Sequence, residues 1–344
     1  MPTKDLVIYF LNVGQGNCAF LKLPDGQGLL IDINHAKPES GGGIHVLKFL
    51  RDQLKERKGR LTCIIGHPDK DHCRGLKDIS KASDLEIERL FDSTLRKEKE
   101  KGQEYREYDD YVEIVDKLKK EGKVVAIKRG TKNDSNLRFD WGGIRFLTPD
   151  KDYSSGLLGS DDMNRKSALI QLDYHGIKVL FASDTSFLTY KEDLKEWNDF
   201  QNSILKSRIL LVSHHGSRSF FQNGEEDEAY TEALDAIDPE YAVISVGKDN
   251  PHDHPHKDAV ERYAKKAKKV YQTDQDGSIV ITLRQLSDGR VACDVNPDST
   301  IDSKYAWDDD NDGGDDDTSK GKGPYISPSW EKKSPSVLGG NPKG

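Results

Sequence analysis

The chain has 344 residues, enough to bury a substantial core as one large domain or two ordinary ones. Its formal net charge of -8 at pH 7 argues against a surface coated with cations for nucleic-acid binding, although a local basic groove can coexist with that total. The four cysteines form no C-x-x-C pair, and no apolar run approaches the about 20 residues that cross a membrane. With no signal peptide before the first strand, these features predict a soluble protein of the cytoplasm.

Short apolar strands alternate with polar loops along the first part of the chain. The patterns predict strands in LVIYFLNV, CAFLKL and LLIDI, with a hairpin turn at PDGQG between the last two. A helix is predicted in IHVLKFLRDQLKERKG, ended by Gly59, and LTCII predicts a buried strand. The segment from about Ser80 to Lys120 is charged, and we expect it to form a helical insert.

The second part of the chain continues the same pattern. Short strands are predicted at VVAI, NLRF and IRFL, and SALIQLDYHGIKVLFASD predicts two strands about the turn His175-Gly176. Further strands are predicted at RILLV, YAVISV, GSIVITL and GRVACDV, and a helix at KDAVERYAKKAKK. Beyond about Ser299 the composition becomes acidic and then rich in Pro, Ser, Gly and Lys. We therefore expect one folded domain over residues 1–298 and a flexible tail over residues 299–344.

Potential metal ligands follow the apolar strands in four places. A site for two metal ions needs several nitrogen and oxygen ligands from different strand ends, with one carboxylate able to bridge the ions. The repeated order of strand and then ligand predicts such a site rather than scattered surface charge. The residues are His67, Asp69, Asp71 and His72 in GHPDKDH, then Asp184, then His214 and His215, and finally His252, His254 and His256.

Six motifs in order resemble the late-competence, ComEC-type branch of the metallo-β-lactamase-fold hydrolases. They are FLNVGQGNCAFLKLPDGQGLLIDIN, GHPDKDHCRGL, NRKSALIQL with VLFASD, LLVSHHGS, PEYAVISVGKDNPHDHPH and VYQTDQDGSIVITL, between about Leu6 and Leu283. The superfamily signature H-x-H-x-D-H is present as the variant H-x-D-x-D-H. The resemblance implies an α/β fold of the α+β type, a four-layer αββα sandwich with two mixed β-sheets and with the metals at one edge.

The resemblance also implies a ligand set for two divalent ions. It leaves open which of the two adjacent histidines in SHHGS is a ligand, and favours the second. The implied ligands are His67 and Asp69 for the first ion, Asp71 and His72 for the second, Asp184 as the bridge, His215 to complete the first site and His254 to complete the second.

Four other residues bear on this resemblance. Asp32 corresponds to a carboxylate that braces the ligand loop, and Asn164 stands behind the metals where the superfamily pattern has a histidine. Asn12 and Asn17 replace two carboxylates of the competence pattern, which puts a metal or substrate role for that loop in doubt. The membrane channel of the competence proteins is absent from this sequence, so the resemblance does not imply DNA uptake.

The implied chemistry is hydrolysis by a metal-bound hydroxide, with Asp71 orienting the hydroxide and His214 as the proton donor to the leaving group. An oxygen-rich ligand set favours Mn²⁺, with Zn²⁺ as the alternative. We expect a phosphodiesterase or nuclease acting on DNA or RNA. One alternative is a hydrolase of a small ester, lactone, thioester or cyclic nucleotide. The other is a metal-bound module without catalysis that binds a protein partner through the charged insert or the tail.

Overall fold

A computed structural model describes residues 5–38, 42–99, 104–129, 137–194 and 204–307. Within these ranges no helix combines the length and the apolar character needed to traverse a lipid bilayer. The acidic part of the predicted tail, from residue 308 onward, lies outside the described residues.

The described chain forms two mixed sheets. The first contains β1 (Leu6–Phe10), β2 (Ala19–Lys22), β3 (Gly28–Ile31), β4 (Arg60–Ile65), β5 (Glu86–Asp92), β6 (Val124–Ala126), β14 (Ile279–Gln285) and β15 (Val291–Pro297). The second contains β7 (Leu137–Phe139), β8 (Gly142–Phe146), β9 (Ile170–Tyr174), β10 (Ile177–Phe181), β11 (Ile209–Leu211), β12 (Tyr241–Ile244) and β13 (Lys269–Gln272).

Strand order divides each sheet into an antiparallel part and a parallel part. The first sheet has the order β15-β14-β1-β2-β3-β4-β5-β6, antiparallel as far as β3 and parallel from β3 to β6. The second has the order β13-β12-β11-β10-β9-β8-β7, parallel from β13 to β10 and antiparallel beyond it. The parallel strands matter for the site because their carboxyl ends share one edge of each sheet.

Helices occupy the connections between the strands. They are α1 (Val46–Gln53), α2 (Lys70–Cys73), α3 (Leu76–Lys81), α4 (Arg106–Lys120), α5 (Ser160–Arg165), α6 (Glu232–Ile237), α7 (Lys257–Lys266), α8 (Thr273–Asp276) and α9 (Ser299–Lys304). Shorter helical turns cover Lys55–Arg57, Ser213–Gly216 and Arg218–Phe220, and a π-helix covers Thr189–Leu194.

Three buried apolar clusters separate four layers. Side chains alternate between the two faces of a strand, so Val179 and Phe181 of β10 lie in the cluster between the sheets, whereas Leu180 lies in a second cluster with α6 and α7. A third cluster packs the outer face of the first sheet against α1, α3 and α4, with Phe49 and Tyr111 fully buried there. This helix, sheet, sheet, helix order confirms the four-layer αββα sandwich.

The segment from residue 80 to residue 120 contains a strand as well as a helix. Helix α4 has the expected apolar face, but β5 was missed, and it pairs in parallel with both β4 and β6. Its sequence, EIERLFD, begins with exposed or half-buried charges, while Leu90 and Phe91 are fully buried. The charges in the first half of β5 are not typical of a strand that lies inside a sheet, so the sequence pattern did not predict it.

The chain continues in regular structure after residue 298. Helix α9 follows at once, and Ile301 and Tyr305 pack into the cluster under α1 and α4. The predicted tail thus begins with packed residues, and the exact boundary between domain and tail stays a prediction.

Candidate metal centre

The candidate ligands lie at one edge of the sandwich, beyond the carboxyl ends of parallel strands from both sheets. Asp32 follows β3 directly, and His67 lies just beyond β4. Asp184 and His214 lie just beyond β10 and β11 of the second sheet. A backbone hydrogen bond from Ala168 to the carbonyl of Gly66, 3.0 Å long, joins the two sheets here. Loops at such an edge commonly carry a binding site.

Asp184 lies between two groups of side chains, one at each carboxylate oxygen. Its Oδ1 is 2.9 Å from Nε2 of His72 and 4.0 Å from Nε2 of His215. Its Oδ2 is 4.0 Å from Nε2 of His67 and 3.8 Å from Nε2 of His214. The Asp184 side chain is 4% exposed. A buried carboxylate with imidazoles at both oxygens is suited to contact two ions at once.

Each group contains a further carboxylate. Nitrogen and oxygen atoms of Asp71, His72 and His215 lie within 4.8 Å of one another, and Asp71 Oδ2 is 3.2 Å from His215 Nε2. On the other side, Asp69 Oδ2 is 3.4 Å from His67 Nε2. Both groups thus offer the mixed nitrogen and oxygen donors that divalent transition metals bind.

This grouping differs from the one expected from the sequence. His215 lies with Asp71 and His72, not with His67 and Asp69 as expected. His214 lies beside His67 instead, in the position expected for His215. Consecutive left-handed conformations at His214 (φ 48°) and His215 (φ 53°) turn the two neighbouring imidazoles towards different oxygens of Asp184.

His254 lies beside the site but outside the Asp71 group. Its ring centroid is 5.2 Å from that of His214 and 6.4 Å from that of His215, and its buried Nδ1 has no hydrogen-bond partner in the described part of the chain. Of its neighbours, His252 is exposed, and His256 accepts a hydrogen bond from the backbone of Arg218. The expected role of His254 in completing the second site stays a prediction.

Every imidazole of the two groups is held through its Nδ1, which leaves Nε2 directed at Asp184. This arrangement is typical of metal-binding histidines, whose outer nitrogen is fixed by a hydrogen bond. The partners are Asp32 Oδ2 for His72 (2.9 Å), Ser167 Oγ for His67 (2.9 Å), the Ser245 carbonyl for His215 (2.8 Å) and Ser219 Oγ for His214 (3.0 Å).

Two of these contacts bear on the predictions made for Asp32 and Asn164. The other oxygen of Asp32 accepts a hydrogen bond from the Gly66 backbone at 2.7 Å, and the bracing role expected for Asp32 stays a prediction. Asn164 lies in α5, and its carbonyl accepts a hydrogen bond from the backbone of Ser167 at 3.1 Å. Ser167, not Asn164, contacts His67, and nothing in the sequence distinguishes it from other serines.

Three buried atoms of the site have no hydrogen-bond partner among the residues that the structure describes. They are Nε2 of His67, Nε2 of His72 and Oδ1 of Asp184. The last two are 2.9 Å apart, yet they are not aligned for a hydrogen bond. Buried polar atoms without partners are rare because they cost free energy. Divalent ions would satisfy all three atoms, so the residues present fit a metal centre.

Opposite charges set the direction of the pKa shifts of Asp184 and His72, and burial sets that of His214. Burial by itself raises the pKa of Asp184, but the neighbouring His72 and His214 bring it well below its usual value. Burial lowers the pKa of His72, yet Asp184 and Asp32 raise it well above the usual 6.5. The pKa of His214 is lowered, chiefly by burial, so this imidazole is neutral at pH 7 with a lone pair available for a metal.

Strained backbone surrounds the centre. Asp32 (φ 55°) and Ser183 (φ 44°) adopt the left-handed conformation, as do His214 and His215. Residues other than glycine pay about 1–3 kcal/mol each for such a conformation, and they concentrate at functional sites. Here all four lie at the ends of strands that carry the candidate ligands.

The site is open to solvent on the side of its two partly exposed aspartates. Asp69, Asp71 and His214 have 26%, 21% and 25% of their side chains exposed. His67 and His72, in contrast, are completely buried. A substrate therefore has access from the side of the two aspartates.

No protein-family model matches the chain. It is 27% identical over 285 residues to ComE operon protein 3 of Bacillus subtilis and 25% identical over 277 residues to Recombination protein 2 of Haemophilus influenzae. These matches cover 78% and 80% of the chain. Competence protein ComA of Neisseria gonorrhoeae is 27% identical over 156 residues, or 45% of the chain. The resemblance to the late-competence proteins is confirmed. The chain spans about a third or less of these relatives, 32%, 28% and 20% of their lengths.

Two solved structures have a partial likeness to the chain. Zn(2+)-bound PqqB from Methylobacterium extorquens is 13% identical, with a TM-score of 0.42 over 79% of this chain and 99% of that one. A mutant of the β-hydroxylase CmlA is 14% identical, with a TM-score of 0.44 over 83% of this chain and 55% of that one. At these TM-scores neither likeness bears on the roles of individual residues.

Proposed function

We propose that the chain is a metal-dependent hydrolase with a dinuclear centre that cleaves phosphodiester bonds in DNA or RNA. The observation that carries the proposal is the position of Asp184, with one group of metal-binding side chains at each carboxylate oxygen. A single structural ion would need candidate ligands at only one oxygen of the Asp184 carboxylate.

Each ion would be held by residues of one group together with Asp184. The first would be held by His67, Asp69 and His214, and the second by Asp71, His72 and His215. When bound, divalent ions lower the pKa of water and offset negative charge that develops on a phosphoryl oxygen. The three aspartate ligands are hard oxygen donors, which supports Mn²⁺ over Zn²⁺.

The chain's own residues have distinct tasks in this reaction. Asp71, partly exposed on the open side, can orient the attacking water by accepting a hydrogen bond from it. His214 was expected to donate a proton to the leaving group. Its lowered pKa and its position 3.8 Å from Asp184 favour a ligand role instead.

The partial exposure of Asp69, Asp71 and His214 leaves the site accessible to a polymeric substrate. The names of two relatives refer to recombination and to competence, which also supports a nucleic-acid substrate.

Cleavage of end-labelled single-stranded DNA and RNA by the purified protein tests the proposal. The reactions contain Mn²⁺, Zn²⁺ or EDTA and compare wild type with Asp184→Ala. The matched control is Asp288→Ala, which removes a carboxylate from an exposed turn, where it pairs with Arg290. We expect metal-dependent cleavage by wild type and Asp288→Ala, and none by Asp184→Ala.

Two other results would contradict the proposal. Metal binding with hydrolysis of p-nitrophenyl esters, but without nucleic-acid cleavage, would indicate a hydrolase of small esters. Metal binding without any hydrolysis would indicate a module that acts by binding a partner.

A further inference from the structure

Lys97 places a positive charge beside the candidate ligands. Its Nζ is 2.8 Å from Oδ1 of Asp69, whose other oxygen is 3.4 Å from His67 Nε2. The Lys97 side chain is 20% exposed, on the side where Asp69 itself reaches solvent. The ammonium group therefore lies across Asp69 from the first candidate metal position and faces the open side of the site.

The loop that carries Lys97 is fixed on both sides. The Lys97 backbone donates a hydrogen bond to the Tyr108 hydroxyl of α4 at 2.9 Å. Lys97 also forms a parallel β-bridge with Leu158, and its ammonium group is 5.6 Å from the centre of the Tyr105 ring. These contacts hold the lysine in one place before any substrate arrives, which lowers the entropic cost of binding.

Electrostatics indicate what this lysine would bind. Lysine is protonated at neutral pH, and Lys97 forms an ion pair with the Asp69 carboxylate at 2.8 Å. A cation next to a metal ligand repels the metal ion, which is a cost in a site for neutral substrates. The same cation becomes favourable when the substrate brings a second anionic group beside Asp69, because phosphate oxygens form strong charge-assisted hydrogen bonds with lysine.

We propose that Lys97 binds a non-bridging phosphate oxygen of the substrate beside Asp69, so that the site selects phosphodiesters over neutral esters. This inference rests on the proposed function in placing the substrate at the metal centre. It adds an anion-binding residue that neither the sequence motifs nor the ligand geometry identified.

Binding of inorganic phosphate to the Mn²⁺-loaded protein, measured by calorimetry, tests the role of Lys97. The variants are Lys97→Met, which keeps the apolar stem, and Lys97→Arg, which keeps the charge. The matched control is Lys99→Met, because Lys99 lies two residues away in the same loop but pairs with Asp109 on the helix. Its Nζ is 5.7 Å from the Tyr108 ring centre, so it shares the environment of Lys97 without reaching Asp69.

We expect Lys97→Met to weaken phosphate binding about tenfold or more, Lys97→Arg to restore part of it, and Lys99→Met to leave it unchanged. Manganese content, measured by elemental analysis, should be the same in all four proteins. The proposal is wrong if wild type binds no phosphate, or if Lys97→Met binds it as well as wild type. Loss of manganese from Lys97→Met in step with phosphate would also refute it, since Lys97 would then only position Asp69.

Turnover separates this inference from the proposed function. If wild type binds phosphate through Lys97 but cleaves no nucleic acid, the nuclease proposal fails and the anion site remains. If wild type cleaves DNA and Lys97→Met does so equally, the nuclease proposal stands and the role of Lys97 fails.

Discussion

Replacing Asp32 by asparagine should weaken metal binding while the fold persists. Asp32 is 2% exposed and accepts three hydrogen bonds, from Gly66 N at 2.7 Å, His72 Nδ1 at 2.9 Å and Ser183 Oγ at 3.5 Å. The asparagine oxygen can keep the bond from Gly66. Its amide nitrogen would then face His72 as a donor, which moves the imidazole proton to Nε2. Nε2 is the atom directed at Asp184, so the ring could no longer bind a metal there.

The size of the effect follows from these contacts. Loss of the group behind a metal-binding histidine typically costs 10- to 100-fold in metal affinity, or about 1.4–2.8 kcal/mol. Loss of a charge-assisted hydrogen bond costs about 1.5–3 kcal/mol of unfolding free energy, and the variant should show this even without metal.

Calorimetric titration with Mn²⁺ measures the affinity, and thermal unfolding in EDTA measures stability. Asp302→Asn is the matched control because Asp302 also accepts a backbone N–H, from Ser278 at 2.9 Å, but contacts no candidate ligand. It should lose stability and keep its affinity for Mn²⁺. If Asp32→Asn binds Mn²⁺ within about threefold of wild type, the bracing role of Asp32 is refuted.

Three further predictions concern pH, His67 and the core. In metal-free protein the raised pKa of His72 contributes stability that is complete below about pH 6.5 and is lost as the pH rises through the folded-state pKa. The melting temperature in EDTA should therefore fall towards pH 9, and a flat profile would contradict this sign. Ser167→Ala removes the hydroxyl from His67 Nδ1 and should weaken Mn²⁺ binding about tenfold, whereas the exposed change Ser303→Ala should not. Phe146→Ala, at a ring buried against Phe91 between the sheets, should lower the unfolding free energy by about 3–5 kcal/mol in urea titrations. A loss below about 1 kcal/mol would show that the core around Phe146 is not tightly packed.

Much of the strand framework was predictable because short apolar runs end in recognisable turns. The hairpin of β9 and β10 was placed from its apolar strands and the turn between them, where His175 (φ 49°) and Gly176 (φ 89°) are left-handed. Strand β5 was missed because half of its residues are charged. Only its position inside the sheet makes Leu90 and Phe91 a buried pair, and that position depends on residues far away in sequence.

The candidate site was predictable in composition but not in arrangement. His67 and Asp184 could be selected because each follows an apolar strand in a family motif. The backbone angles of His214 and His215 determine which oxygen of Asp184 each of their imidazoles faces. No residue pattern specifies these angles. Lys97 lies within a run of charged residues, and its approach to Asp69 arises only from the way α4 packs.

At the left-handed residues of the strand ends, substitutions that raise thermal stability would weaken metal binding. Replacing His214 or Ser183 with glycine would relieve backbone strain, and a screen for thermal stability in the absence of metal would favour such changes. His214→Gly would at the same time remove an imidazole from Asp184, and Ser183 precedes Asp184 directly. Engineering guided only by melting temperature would therefore act against this centre, so selection for stable variants needs metal present at every round.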